Sequence, residues 1–97
     1  MPTMRGKITR ITQETSRYGD LHYFICFKME DGKSARSYVY MKNGNYRRWC
    51  PHIVDFQKQL ASGQEVWLEG LQFWNDPKKR LIDADSQFQL SKQPATA

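Results

Sequence analysis

An all-β domain carrying one helix, folded as a five-stranded Greek-key barrel, is the class this sequence predicts. Three observations predict it. Five segments alternate apolar and polar residues at the period of two that a strand requires. One segment, Pro51 to Ser62, repeats its apolar residues at helical spacing instead. An Asp31-Gly32 pair stands between two of the strand patterns, the strongest short-range signal of a hairpin.

The first strand spans Met4 to Glu14 and is rich in β-branched residues, with Ile8 and Ile11 as its apolar anchors. These are three apart, so strict alternation fails, and a bulge near Thr9 and Arg10 restores it. Ser16 to Asp20 supplies a turn containing Gly and Asp. In the second strand, Leu21 to Met29, one face carries Tyr23, Ile25, Phe27 and Met29. The other carries His22, Phe24, Cys26 and Lys28. Across the Asp-Gly turn, the third strand turns Ala35, Ser37, Val39 and Met41 towards a core and Arg36, Tyr38, Tyr40 and Lys42 away from it. A turn at Asn43-Gly44-Asn45 leads to Tyr46, Arg47, Arg48 and Trp49, which repeat that mixture of rings and cations.

Pro51 suits a first helical turn, where its missing N–H costs nothing. Ile53, Phe56 and Leu60 then form a narrow stripe with Val54 beside it, and Gly63 is the expected left-handed stop. In the fourth strand, Gly63 to Trp74, Val66 and Leu68 alternate with Glu65, Trp67 and Glu69, and Gly70 marks a bulge or tight bend. Asn75 to Lys79 is a hairpin loop, and Arg80 to Leu90 returns as the last strand with Ile82, Ala84, Phe88 and Leu90 on one face. Residues 4–90 make one domain, and 91–97 form a small, polar, flexible tail.

Three strands, a helix and two strands is the element order of the OB-fold. Its core is expected to hold Ile8, Ile25, Phe27, Val39, Phe56, Leu60, Val66, Leu68 and Ile82. Trp67, Leu71 and Phe73 fall on a face that a lone small barrel leaves wet, which predicts a homo-oligomer, dimer or tetramer. The alternative is that a bulge at Gly70 flips the alternation and turns them inward.

At 97 residues the chain holds one modest core, and aromatics at 13% let a hydrophobic fraction of only 39% fill it. Net charge is +5, unevenly placed: residues 1–50 hold ten Lys/Arg against four Asp/Glu, residues 51–97 five against six. That asymmetry favours a polyanionic partner. No apolar stretch reaches the length of a membrane span, and no signal-peptide pattern opens the sequence, so a cytoplasmic protein with no membrane partner is expected. Cys26 and Cys50 have neither metal-ligand nor disulfide-framework spacing and read as free thiols. His22 and His52 lack metal-ligand partners in sequence, and no phosphate loop or nucleophile motif is present. Asp83 and Asp85 at i, i+2 read as a solvent face. No metal, no cofactor and no enzymatic activity are expected.

Leu60-Ala61-Ser62-Gly63-Gln64-Glu65-Val66-Trp67-Leu68-Glu69-Gly70 resembles bacterial single-stranded DNA-binding proteins. In those proteins a helix ends in a small-residue turn and the next strand carries Val-x-Ile/Leu-Glu-Gly. The aromatic-rich Ser37-Tyr38-Val39-Tyr40-Met41 before the helix occupies the corresponding place, and primosomal replication proteins carry a looser version. The resemblance implies an OB-fold, an oligomer and a role in replication, as an accessory, mobile-element or primosomal relative. It also lends Trp74 a base-stacking role, although the family's hairpin tryptophan lies farther beyond the glycine. Members usually end in an acidic tail, and residues 91–97 carry no acid.

OB-folds bind oligomers across strands two and three and the loops joining strands 1–2 and 4–5. Those regions supply Arg17 and Tyr18; Phe24 and Lys28; Arg36, Tyr38, Tyr40 and Lys42; and Trp74, Lys78, Lys79 and Arg80. Arg47, Arg48 and Trp49 extend the set. Aromatic faces stack any base, and neighbouring cations hold phosphates, so the expected partner is single-stranded DNA or RNA without sequence preference. Competing readings stand beside this one. Tyr38 and Tyr40 are alternatively members of cross-strand packing pairs, Trp67 a subunit contact, Trp49 a cap on the barrel end, and Lys78-Lys79-Arg80 a solvated turn. The whole chain is alternatively an OB-fold protein–protein interaction module in a replication or conjugation assembly.

Overall fold

A computed structural model describes residues 3–42, 45–46, 50–83 and 89–91, the backbone alone at 40–42, 45–46, 50–51 and 91. The elements run β1 (Met4–Thr15), β2 (Leu21–Met29), β3 (Ser34–Lys42), β4 (Asn45–Tyr46), α1 (Cys50–Ala61), β5 (Val66–Leu71) and β6 (Gln89–Ser91). The described chain is mostly β with one α-helix. Five strands form an antiparallel ladder in the order β3-β2-β1-β5-β6, and the short β4 pairs with the end of β3. Among the described residues no helix is long and apolar enough to cross a membrane.

The irregular spacing of Ile8 and Ile11 has its expected cause. Ile8 pairs with Phe27 and Arg10 with Cys26, so Thr9 is an extra residue, and its hydroxyl donates to the Cys26 carbonyl at 3.2 Å. A residue added to one strand reverses the side-chain parity beyond it. Ile8 and Ile11 therefore both face the core, while Arg10 and Thr12 turn outward beside Cys26 and Phe24.

Gly70 produces a second reversal. Met4 pairs with Leu71 and Arg5 with Glu69, leaving Gly70 unmatched with φ of 86°. Such a backbone is open to glycine and strained for other residues. Leu68 and Leu71 are consequently both buried, and Phe73 packs partly against the core. This corrects the reading of Leu71 and Phe73 as a wet apolar face and matches the alternative in which a bulge at Gly70 turns them inward. Trp67 is half-buried; its indole N–H donates to Glu65 at 2.8 Å, and Lys7 lies 5.8 Å from its ring centre.

The core contains Ile8, Ile25, Phe27, Met29, Ala35, Val39, Val66, Leu68, Leu71 and Ile82, closed by Ile53 and Phe56 of α1, with Leu60 partly buried. Val54 is exposed. The helix stops at the expected glycine. Gly63 N–H donates to Leu60 O and Gln64 N–H to Gln59 O, both at 3.0 Å, a Schellman closure around Gly63 at φ of 85°.

The expected last strand is not continuous. Leu81 makes a parallel bridge to Arg36, and Ile82 an antiparallel bridge to Phe73. Ala84, Asp85 and Phe88 lie outside the described residues. Leu90 is 62% exposed, not inward with Ile82, although its backbone pairs with Leu68. Ser91, read as the start of a tail, pairs with Trp67. Asn45, read as part of a turn, is a strand residue opposite Lys42. Strand pairing among the described residues does not close the sheet into a barrel; β3 meets the chain beyond β5 at the isolated Arg36–Leu81 bridge and not through a ladder.

Candidate nucleic-acid interface

Register places the outward side chains of β1, β2 and β3 in rows. Thr12, Phe24 and Tyr38 form one row; Arg10, Cys26 and Arg36 the next; Lys7, Lys28 and Ser34 a third. The Phe24 and Tyr38 ring centres lie 5.1 Å apart with planes tilted by 43°. Phe24 is half-buried, and Tyr38 is 37% exposed, so the pair offers a supported ring with an accessible surface. His22, buried, stands 5.9 Å from the Tyr38 ring centre and 3.6 Å from the Glu14 carboxylate.

A groove of about 650 Å³ runs over the second row, bounded by Arg10, Phe24, Cys26 and Arg36 on the sheet and by Lys78, Lys79 and Arg80 beyond it. Lys78 and Lys79 belong to a one-turn 3-10 helix, Pro77–Lys79, and Arg80 ends it. Asp76 caps its start by accepting the Lys78 N–H at 3.0 Å, and Pro77 presets the first turn. Two backbone bonds moor this segment to β3. Arg36 N–H donates to Arg80 O at 3.1 Å, and Ile82 N–H to Arg36 O at 2.7 Å.

The charges are sorted. Arg5 pairs with Glu30 at 3.5 Å, Lys7 with Glu65 at 3.6 Å, and Arg80 with Asp31 at 3.3 Å. Arg10, Lys28, Arg36, Lys78 and Lys79 make no ion pair with another described residue, and all five are exposed. Asp31 is held below the usual carboxylate range by the Lys33 amide it accepts, then by the Arg80 guanidinium.

The structure thus brings together Phe24, Lys28, Arg36, Tyr38, Lys78, Lys79 and Arg80 from the sequence reading. Arg17 and Tyr18 sit apart at the β1–β2 turn, where the Arg17 guanidinium lies 5.0 Å from the Tyr18 ring centre and donates to its hydroxyl at 2.9 Å. Tyr18 is 76% exposed. Trp74 is 54% exposed on the approach to the 3-10 turn and is not among the described residues lining the groove. The Tyr40 backbone lies opposite His22, and Lys42 opposite Asn45; their side chains, and Arg47, Arg48 and Trp49, lie outside what is described. Sequence reasoning misses Arg10 and Cys26 as site residues. The signal for Arg10 is the Ile8–Ile11 spacing, because a bulge there moves the arginine to the outer face.

No family model, curated protein or solved structure was found to match this chain.

Proposed function

We propose that the protein binds single-stranded DNA without sequence preference, as a binding module rather than an enzyme, along the outer face of β1, β2 and β3. The observation that carries this is the adjacency of the Phe24–Tyr38 ring pair to the row of Arg10 and Arg36. Rings and exposed cations at neighbouring positions suit an unpaired strand, whose bases stack while its phosphates meet charge. Each stacked base contributes about 1–3 kcal/mol, and every base has a π-face, so sequence matters little.

We read the architecture as an OB-type barrel. β1 pairs on both sides, with β2 and β5, and residues 81–82 bridge β3 to Phe73 beyond β5. Those links support a ring of five segments with the helix between the third and the fourth. In such a fold the proposed face is the customary oligomer-binding surface.

Titration of a fluorescein-labelled oligo-dT at two salt concentrations tests the reading. Affinity is expected to fall with log salt by roughly 0.7 per phosphate contacted, and duplex DNA is expected to bind more weakly because its bases are not free to stack. Absence of binding, or binding indifferent to salt, would overturn it and favour an apolar protein interface on the same face.

A further inference from the structure

The groove's far wall is joined to the β2–β3 turn by one side chain. Arg80 Nε donates to the Ser34 carbonyl at 2.9 Å, and its two terminal nitrogens reach the Asp31 carboxylate at 3.3 and 3.4 Å. The same guanidinium lies 5.0 Å from the Phe73 ring centre. Arg80 itself adopts φ of 56° and ψ of 39°, a left-handed conformation unfavourable for a residue with a side chain. Its N–H closes the 3-10 turn on Pro77 O at 3.1 Å. The acceptor is also prepared: one Asp31 oxygen takes the Lys33 N–H at 2.8 Å, which orients the carboxylate within its turn.

We propose that Arg80 and Asp31 form a latch that holds Lys78 and Lys79 over the groove, Arg80 acting as a positioning residue and not as a phosphate ligand. The proposal rests on the nucleic-acid reading above and assigns roles within that site. Three of the five guanidinium donors are occupied, and the charge is opposed by a carboxylate in bidentate geometry. Lys78 and Lys79, just before Arg80 in the chain, have no such partner among the described residues and line the groove. Because Asp76 and Pro77 make that turn rigid, fixing the residue that ends it fixes both lysines.

An unlatched arrangement predicts the opposite sign for one substitution. Were Asp31 merely competing with phosphate for Arg80, Asp31→Asn would free the guanidinium, strengthen oligo-dT binding and steepen its salt dependence. The latch instead predicts that Asp31→Asn weakens binding several-fold. Arg80→Lys should lose as much as Arg80→Ala, since an ammonium keeps the charge but cannot make the forked contact. The double variant Asp31→Asn/Arg80→Ala should add little to either change alone. Trypsin supplies a readout independent of DNA: cleavage after Lys78 and Lys79 is expected to be faster in Asp31→Asn and Arg80→Lys than in wild type. Equal cleavage rates would overturn the latch itself. Tighter binding by Asp31→Asn, or retained affinity in Arg80→Lys, would overturn the positioning role while leaving nucleic-acid binding in place. Failure of the wild type to bind oligo-dT would remove both.

Discussion

Ser37 Oγ donates to the Ile82 carbonyl across 2.9 Å, and both residues are buried. Together with the backbone bonds between Arg36 and residues 80 and 82, this pins the returning chain to β3. Ser37→Ala removes the donor and leaves that carbonyl in the core without it, at a cost of about 1–3 kcal/mol. Urea denaturation should show that loss. An unchanged midpoint would mean the seam does not depend on the hydroxyl.

Phe24 and Tyr38 are expected to act as one platform. Either residue changed to Ala should weaken oligo-dT binding by about 1–3 kcal/mol, or roughly 5- to 150-fold, with the salt slope retained. Because the rings touch, the double variant should lose less than the sum. Circular dichroism verifies folding, and folded variants binding as tightly as wild type would remove the pair from the site.

Arg10 and Arg36 should respond differently from the aromatic pair. Arg10→Ala and Arg36→Ala are each expected to reduce the slope against log salt by about 0.7, one phosphate contact apiece. Lys58→Ala, on the exposed part of α1, is the control and should leave the slope alone. A normal slope in Arg10→Ala would show that the outward turn caused by the Thr9 bulge carries no binding consequence.

Gly70→Ala should destabilise the fold by roughly 1–2 kcal/mol, the cost of placing a Cβ on a left-handed backbone. The loss should appear as a lower urea midpoint. A neutral substitution would show that Leu71 reaches the core without the Gly70 conformation.

The Asp31 carboxyl lies below its ordinary value of 3.8 because the Lys33 amide, and then Arg80, favour the charged form. A carboxyl depressed in the folded state stabilises it at pH above the unfolded value and ceases to do so as pH falls through the lower folded value. The melting-temperature difference between wild type and Asp31→Asn is therefore expected to be constant near neutrality and to shrink progressively as pH falls towards and below 3.8. A difference that disappears at neutral pH would show that the ion pair does not form.

Alternation and backbone preference act over a few residues, so the amino-acid order alone determined the facing of most described side chains and the turns at Ser16 to Asp20 and at Asp31-Gly32. Val39 is inside and Tyr38 outside, Ile53 and Phe56 dock the helix, and Gly63 ends it, all as the local pattern requires. The Ile8–Ile11 spacing announced a bulge, and Gly70 another. Which side chains each bulge turned outward was decided by pairing with β2 and β5, since parity has meaning only against a partner strand. Tertiary structure alone set Lys78, Lys79 and Arg80 beside Arg36, far earlier in the chain, and spent the Arg80 charge on Asp31. Leu90 likewise stayed in solvent despite an apolar pattern. Neighbours that distant in sequence meet only where sheet register and chain return bring them together, and no local spacing encodes that meeting.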